Sequence, residues 1–444
     1  MKGLITLVST CVALSATGAL AEPVKRDIQS ITTKGNAFFQ GGSRFYIRGV
    51  DYQPGGSSQV ADPIADTNGC QRDIQEFKKL GINAIRVYTV DNSQNHDDCM
   101  NALADANIYL ILDVNTPKYS LNRDDPKTSY NDVYLQNIFA TIDAFAKYSN
   151  TLAFFSGNEV INGANSTGAA PYVKAVTRDM RQYIGSRGYR QIPVGYSAAD
   201  VSENRVQMAD YMNCGTADER SDFFAFNDYS WCDPSSFTQS GWDQKVKNFT
   251  GYSIPLFLSE YGCNTNTRTF QEVGALYSTE TSSVYSGGLV YEYSQEASGY
   301  GLVQINGNQV EELEDFKALQ SAYARQSNPS GDGGYNANGQ PSQCPPASSD
   351  WDVTSDALPA IPSPAEKYMT QGAGQGVGLS GPGSQDAGTE SASTATAGSG
   401  QVTATGTAGK KNGAGHLSPV EFSAAHVVCG LVVVASMMFG TVLL

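Results

Sequence analysis

Between about Asp27 and Arg325 the sequence repeats one pattern eight times: a short apolar run, then a stretch whose apolar residues recur three and four apart. The runs lie at 45–50, 84–88, 109–114, 152–157, 192–196, 223–227, 255–259 and 288–293, with helix-like segments such as 73–80, 134–148, 172–184 and 310–324 between them. Alternating strand and helix signals of this kind predict β-α units and a parallel sheet. Eight units in about 300 residues predict a closed (β/α)8 TIM barrel. A doubly wound open sheet would be expected to carry a glycine-rich phosphate loop after an early strand, and none is found.

The periodicity stops after about Ser327. From Gly372 to Gly409 the chain is dominated by Gly, Ser, Thr and Ala. Such composition predicts disorder, so residues 22–345 are read as the catalytic domain and 346–411 as a disordered Ser/Thr/Gly/Pro-rich linker. The two ends carry processing signals. Residues 1–21 place Lys2 before an apolar run and close on Ala19-Leu20-Ala21, the pattern of a secretory signal peptide. Residues 412–444 combine small residues, a polar spacer and an apolar tail with no basic cluster after it. That layout predicts a GPI-attachment signal, with Asn412 as the attachment residue, over an ordinary single-pass anchor. The expected location is the outer face of the plasma membrane or the cell wall.

Cys11 and Cys429 fall within these end segments, which leaves Cys70, Cys99, Cys214, Cys232, Cys263 and Cys344. An even number in an exported chain predicts disulfides, although spacing does not choose their pairing. His96 is the one histidine outside the C-terminal signal. A Ser-His-Asp triad would have to use it, and histidine-rich zinc motifs are missing; no metal or cofactor is implied. His96 lies in a polar run, 92–98, and is read as a solvated loop residue. A net charge of −15 argues against nucleic acid and anionic polymers and leaves a neutral polymer compatible. The 24 tyrosines suit sugar rings, or simply a core. Two sequons, at Asn165 and Asn248, predict N-glycosylation at surface positions.

Catalytic groups of a TIM barrel sit where strands end. Run four leads into Asn158-Glu159 and run seven into Ser259-Glu260, so both glutamates are expected in one central cleft. Paired carboxylates are what glycoside chemistry needs: one protonates the leaving oxygen while the other attacks the anomeric carbon or activates water. In a retaining enzyme they stand about 5 to 5.5 Å apart.

Several strings carry a resemblance beyond this pair: Asp51-Tyr52-Gln53-Pro54, Arg86-Val87-Tyr88, Leu112-Asp113-Val114, Gly157-Asn158-Glu159-Val160, Tyr229-Ser230-Trp231-Cys232 and Phe257-Leu258-Ser259-Glu260-Tyr261-Gly262-Cys263. Over about Ile28 to Cys344 the chain resembles the fungal GPI-anchored β-1,3-glucanosyltransferases of glycoside hydrolase family 72. The resemblance implies cleavage of an internal β-1,3-glucan linkage and transfer of the new end to the non-reducing end of another glucan, which is both donor and acceptor. It implies Glu159 as acid/base, Glu260 as nucleophile, and Asn158 as the partner of the sugar 2-hydroxyl. Tyr229 would orient Glu260, and Gln53, Tyr88 and Asp113 would line donor subsites. Tyr291 and Tyr293 face the same way by strand alternation, so either is a candidate for the aromatic floor, Tyr291 the preferred one. The family pattern also implies the pairs Cys70–Cys99, Cys232–Cys263 and Cys214–Cys344. Some relatives carry a cysteine-rich carbohydrate-binding module after the barrel; with no cysteine between Cys344 and Cys429 this chain resembles the shorter type, and a monomer is expected. A hydrolase of the same fold and a non-catalytic wall-glucan-binding surface protein are the alternatives.

Overall fold

A parallel strand covered on both faces needs a continuous apolar run rather than alternation, and these runs supply it. The structure is a computed structural model describing residues 28–58, 60–354 and 356–395. The expected signal peptide, the GPI signal and Asn412 lie outside the described residues.

Eight parallel strands close into a barrel: β4 (Ile47–Asp51), β5 (Ala84–Val87), β6 (Tyr109–Asp113), β7 (Thr151–Asn158), β8 (Val194–Ala199), β9 (Phe223–Asp228), β10 (Leu256–Tyr261) and β11 (Tyr285–Val290). Closure is made by β11 on β4, with Gly288 opposite Arg48 and Leu289 opposite Gly49. Before the barrel comes a three-stranded antiparallel sheet, β1 (Ile31–Lys34), β2 (Ala37–Gln40) and β3 (Ser43–Phe45), which the sequence reading does not anticipate. Phe38 of β2 lies within 6.1 Å of Phe223 and 5.8 Å of Phe257, so this sheet plugs the N-terminal end of the barrel. Above the plug the interior is apolar, with Ile47, Ala84, Ile111, Phe155 and Leu289 fully buried.

Helices α1 (Thr67–Leu80), α2 (Asp97–Asp105), α3 (Pro126–Ser129), α4 (Asp132–Phe145), α5 (Ala170–Ser186), α6 (Arg205–Asn213), α7 (Trp242–Phe249), α8 (Glu272–Leu276) and α9 (Glu314–Arg325) accompany the strands. Helix α1 shows why they form. Asp66 caps its start by accepting from the Gly69 amide, Gly81 ends it at φ 72°, and Cys70, Ile74 and Phe77 form its buried stripe. Each large apolar side chain so buried contributes about 1.5 to 3 kcal/mol. A hairpin, β12 (Val303–Asn306) and β13 (Gln309–Glu312), follows β11. The disulfides are Cys70–Cys99, Cys214–Cys344 and Cys232–Cys263, the pairing that the family resemblance implied.

Two expectations are corrected here. Of the linker expected to be disordered over 346–411, the described residues as far as Ala395 are seated on the barrel wall, while 396–411 lie outside the described residues. It contains β14 (Leu358–Pro359), α10 (Tyr368–Gln371) and β15 (Thr394–Ala395), with β14 and β15 paired antiparallel. Trp351 is fully buried against Tyr211, Arg178 donates to the Pro359 carbonyl, and the Ala373 amide donates to the Tyr183 hydroxyl. Several glycines of this tract mark close approach: a Cβ on Gly376 would stand 2.3 Å from Asn92 Oδ1, and one on Gly378 2.5 Å from Asp91 Oδ1. His96 is likewise not solvated. It is 2 % exposed, hydrogen-bonded at 2.7 Å to Asp62, and its ring centroid lies 4.5 Å from that of Phe145. Its polar neighbours in sequence concealed a contact made with α4. Asn165 and Asn248 are both exposed, as their sequons require.

Candidate active site

Along each barrel strand alternate residues point inward, so the apolar plug is followed by a polar layer near the strand ends. Arg86 on β5, fully buried, forms a bidentate pair with Asp113 on β6, at 2.8 and 3.1 Å. Its remaining terminal nitrogen reaches Glu260 Oε1 at 3.1 Å. Glu260 on β10 also accepts from Tyr88 at 2.7 Å and from Tyr229 at 2.6 Å. Burial pushes its carboxyl up, and Glu159 adds to that, while Arg86 and the two tyrosine hydroxyls oppose it by favouring the anion. Three convergent donors of this kind fix both the position and the charge of a carboxylate. Burial, reinforced by Glu260, holds Tyr229 well above the ordinary phenol range, so it stays a donor.

Glu159 is the first residue past β7, where a register irregularity between Phe155 and Asn158 turns the chain end toward the cleft. Its φ is 49°, in the left-handed region, which costs a non-glycine residue about 1 to 3 kcal/mol. Two contacts hold it there: its amide donates to Ser197 O at 2.9 Å, and Arg123 donates to its carbonyl at 2.7 Å. Its carboxylate accepts from Asn227 at 2.8 Å and is only partly covered. Asn227 is the hub of the layer, since it also donates to Asn158 Oδ1 and accepts from Ser197 and Ser259. With Asn158 Oδ1 occupied by Asn227 and Ser197, its Nδ2 is the group left to donate into the cleft.

A cavity of about 300 Å³ opens beside this pair, bordered by Tyr88, Asp113, Asn115, Arg123 and Asn158. Tyr291 is half-buried above Glu260, its ring among those of Tyr88, Tyr229 and Tyr300 at 6.4, 6.4 and 5.3 Å. Tyr293 is corrected: it is fully buried, donates to Asp73 at 2.9 Å, and packs on Tyr52 and Phe77 outside the cleft. The alternation argument failed because β11 ends at Val290, before either tyrosine. Gln53 is 1 % exposed, with its amide oxygen on the Tyr88 and Thr89 amides and its nitrogen on the Ala61 carbonyl. What it places at the cleft is the Tyr88 loop. Asp51 is fully buried in the same layer with neither carboxylate oxygen hydrogen-bonded, and burial pushes it well above the carboxylate range.

Sequence reading had not assigned Arg86, Asn227, Arg123 or Tyr300 a role. The available signal was a charged or amide residue inside an otherwise apolar strand run, which marks an inward polar layer.

Glucanosyltransferase is the description of the family model that matches residues 21–327. A 1,3-beta-glucanosyltransferase of Aspergillus fumigatus, gel1, is 71 % identical over 378 residues, covering 84 % of each chain. A second, GAS5 of Saccharomyces cerevisiae, is 55 % identical over 378 residues, covering 84 % of this chain and 78 % of that protein. Among solved structures, a mutant of Saccharomyces cerevisiae Gas2p in complex with laminaritetraose and laminaripentaose superposes with a TM-score of 0.69. It is 38 % identical, over 74 % of each chain.

Proposed function

The chain belongs to glycoside hydrolase family 72, the glucanosyltransferases, and from that premise we propose that Glu260 and Glu159 carry a retaining β-1,3-glucan transfer. The observation that carries the assignment is the difference between the two carboxylates. Glu260 is buried under three donors that favour its anion, whereas Glu159 takes one side-chain donor and is open to the cleft.

Glu260 attacks the anomeric carbon of a bound β-1,3-glucan as the C1–O3 bond breaks, and Glu159 delivers its proton to the departing O3. The donor segment is then an ester of Glu260. The 3-hydroxyl at the non-reducing end of a second glucan enters, Glu159 takes its proton, and its oxygen displaces Glu260 from C1. Two inversions retain the β configuration. Asn158 donates to the sugar 2-hydroxyl, a contact that strengthens as positive charge builds at C1. Tyr229 and Arg86 keep Glu260 aimed and ionised, while Asp113 holds Arg86 and borders the donor side. Tyr291, with Tyr300, supplies the aromatic surface for a sugar face. GPI anchorage at Asn412, residence on the membrane or in the wall, a monomeric state and glycans on Asn165 and Asn248 belong to the same proposal, supported by the sequence signals and, for the glycans, by exposure.

The test is incubation of the purified enzyme with a reduced linear β-1,3-gluco-oligosaccharide, followed by mass spectrometry of product lengths. Transfer gives products longer than the substrate; shorter products alone would mean a hydrolase. Glu159→Gln is expected to lower kcat by roughly 10²- to 10⁴-fold, and full turnover by that variant would remove Glu159 from the mechanism.

A further inference from the structure

We propose that residues 378–385 are a positioning strap for the substrate cleft, holding from behind the loop 116–123, whose front lines the donor side and whose Arg123 holds Glu159. The proposal rests on the transfer reading for the identity of the sugar. Its geometry is independent of that reading.

The loop after β6 has two faces. Thr116, Pro117, Ser120, Leu121 and Arg123 border the cavity beside Asn158, while Lys118 and Tyr119 do not. Those two turn to the strap. Lys118 Nζ donates to the carbonyls of Leu379 at 3.1 Å and Gly381 at 3.2 Å, and its own carbonyl accepts from the Ser384 amide at 3.0 Å. The Tyr119 hydroxyl accepts from the Gly383 amide at 3.3 Å, and Gln385 donates to the Ser120 carbonyl at 2.7 Å. The strap is itself fixed to the barrel wall: Gly378 donates to Asn92 Oδ1 at 3.0 Å, and Asn131, the cap of α4, donates to Ser384 O at 2.7 Å. With a longer contact from Gln385 to the Ser120 hydroxyl at 3.4 Å, six hydrogen bonds therefore connect a wall-mounted segment to the back of a cleft loop. The loop's internal support is the paired Thr116–Tyr119 bridge, at 3.0 Å in both directions.

Strap and loop fit too closely to be incidental. A Cβ on Gly381 would stand 2.1 Å from the Tyr119 hydroxyl oxygen, so glycine is required there by the approach. From the loop the constraint passes to chemistry through Arg123 and the Glu159 carbonyl, whose left-handed backbone needs holding. A loosened loop would bind the donor sugar less well before it affected bond cleavage. Lys118, Tyr119 and the strap touch neither glutamate, so they position rather than catalyse.

The experiment compares the wild-type enzyme with Gly381→Val, with Lys118→Ala/Gln385→Ala, and with the conservative Lys118→Arg. Dissociation constants for a β-1,3-gluco-hexaose are read by calorimetry with each change placed in the Glu159→Gln background, where the sugar is not turned over, KM and kcat by product analysis on the active forms, and folding by thermal midpoint. Both disruptive variants are expected to bind donor about fivefold more weakly, within what one or two ordered hydrogen bonds can set. KM should rise with Kd and by more than kcat falls, with Lys118→Arg near wild type and midpoints within about 3 °C. If Gly381→Val fails to fold, the surface double variant still decides. Unchanged donor affinity in that variant, with faster amide exchange at 378–385 showing the strap released, would overturn the proposal. A wild-type enzyme giving only shortened products would instead sink the transfer reading, while the donor affinities would still judge the strap.

Discussion

Glu260 is held by Arg86, Tyr88 and Tyr229, so its charge depends on residues far apart in sequence and each can be removed separately. Tyr229→Phe deletes a 2.6 Å hydrogen bond to a carboxylate and is expected to lower kcat by about 10- to 100-fold with little change in KM, checked by steady-state kinetics. Arg86→Met leaves Asp113 and Glu260 buried without their cation. Removing one partner of such a pair costs about 3 to 5 kcal/mol, measurable by urea unfolding, and a loss under 1 kcal/mol would show that the layer repacks around neutral acids. At this scale the two glutamates were legible because each ends an apolar run, where the strands of a barrel deliver their catalytic groups. Asn227 also ends such a run, yet what makes it a hub is four partners, three on β7, β8 and β10 and Glu159 just past β7, and no local pattern shows partners. His96 misled for the same reason, its surroundings coming from another element, whereas Tyr293 misled because β11 ends before it.

The eight barrel strands were readable because doubly covered parallel strands are continuous apolar runs, and the helices because their stripes recur at helical spacing. The sheet of β1 to β3 was not, since strands of three or four residues give too few positions to show a period. Its importance lies in the plug. Phe38→Ala should cost about 3 to 5 kcal/mol in denaturant unfolding while the folded fraction keeps its kcat, because Phe38 lies at the opposite end of the barrel from the cleft. A fall in kcat without loss of stability would mean that the plug communicates with the polar layer. The strap was hidden for a different reason. Gly, Ser and Thr are the composition of disorder, but they are equally the composition of a backbone that must lie flat against a wall, and only the wall distinguishes the two.

Over the whole molecule, buried acids dominate the response to pH. Burial raises Glu272 to about 8 and Glu292 to about 7, so the folded protein keeps protons that the unfolded chain has released. Their contribution to stability is full below the unfolded glutamate range, near pH 4.5, and is lost as pH rises to about 7 and 8. The thermal midpoint should therefore fall from about pH 5 to pH 8, and Glu272→Gln/Glu292→Gln should flatten that decline; an unchanged slope in the double variant would place the protons elsewhere. The proposed chemistry turns on one ester bond formed and broken at Glu260. The direct measurement is to mix Glu159→Gln with an aryl β-laminarioside, whose leaving group needs no acid, quench early, and sequence the labelled peptide by mass spectrometry. A glycosyl adduct on Glu260, cleared as the β-glycosyl azide when azide, which needs no base, is added, is the predicted result. An adduct on another residue, or turnover with inverted configuration and no adduct, would contradict the account.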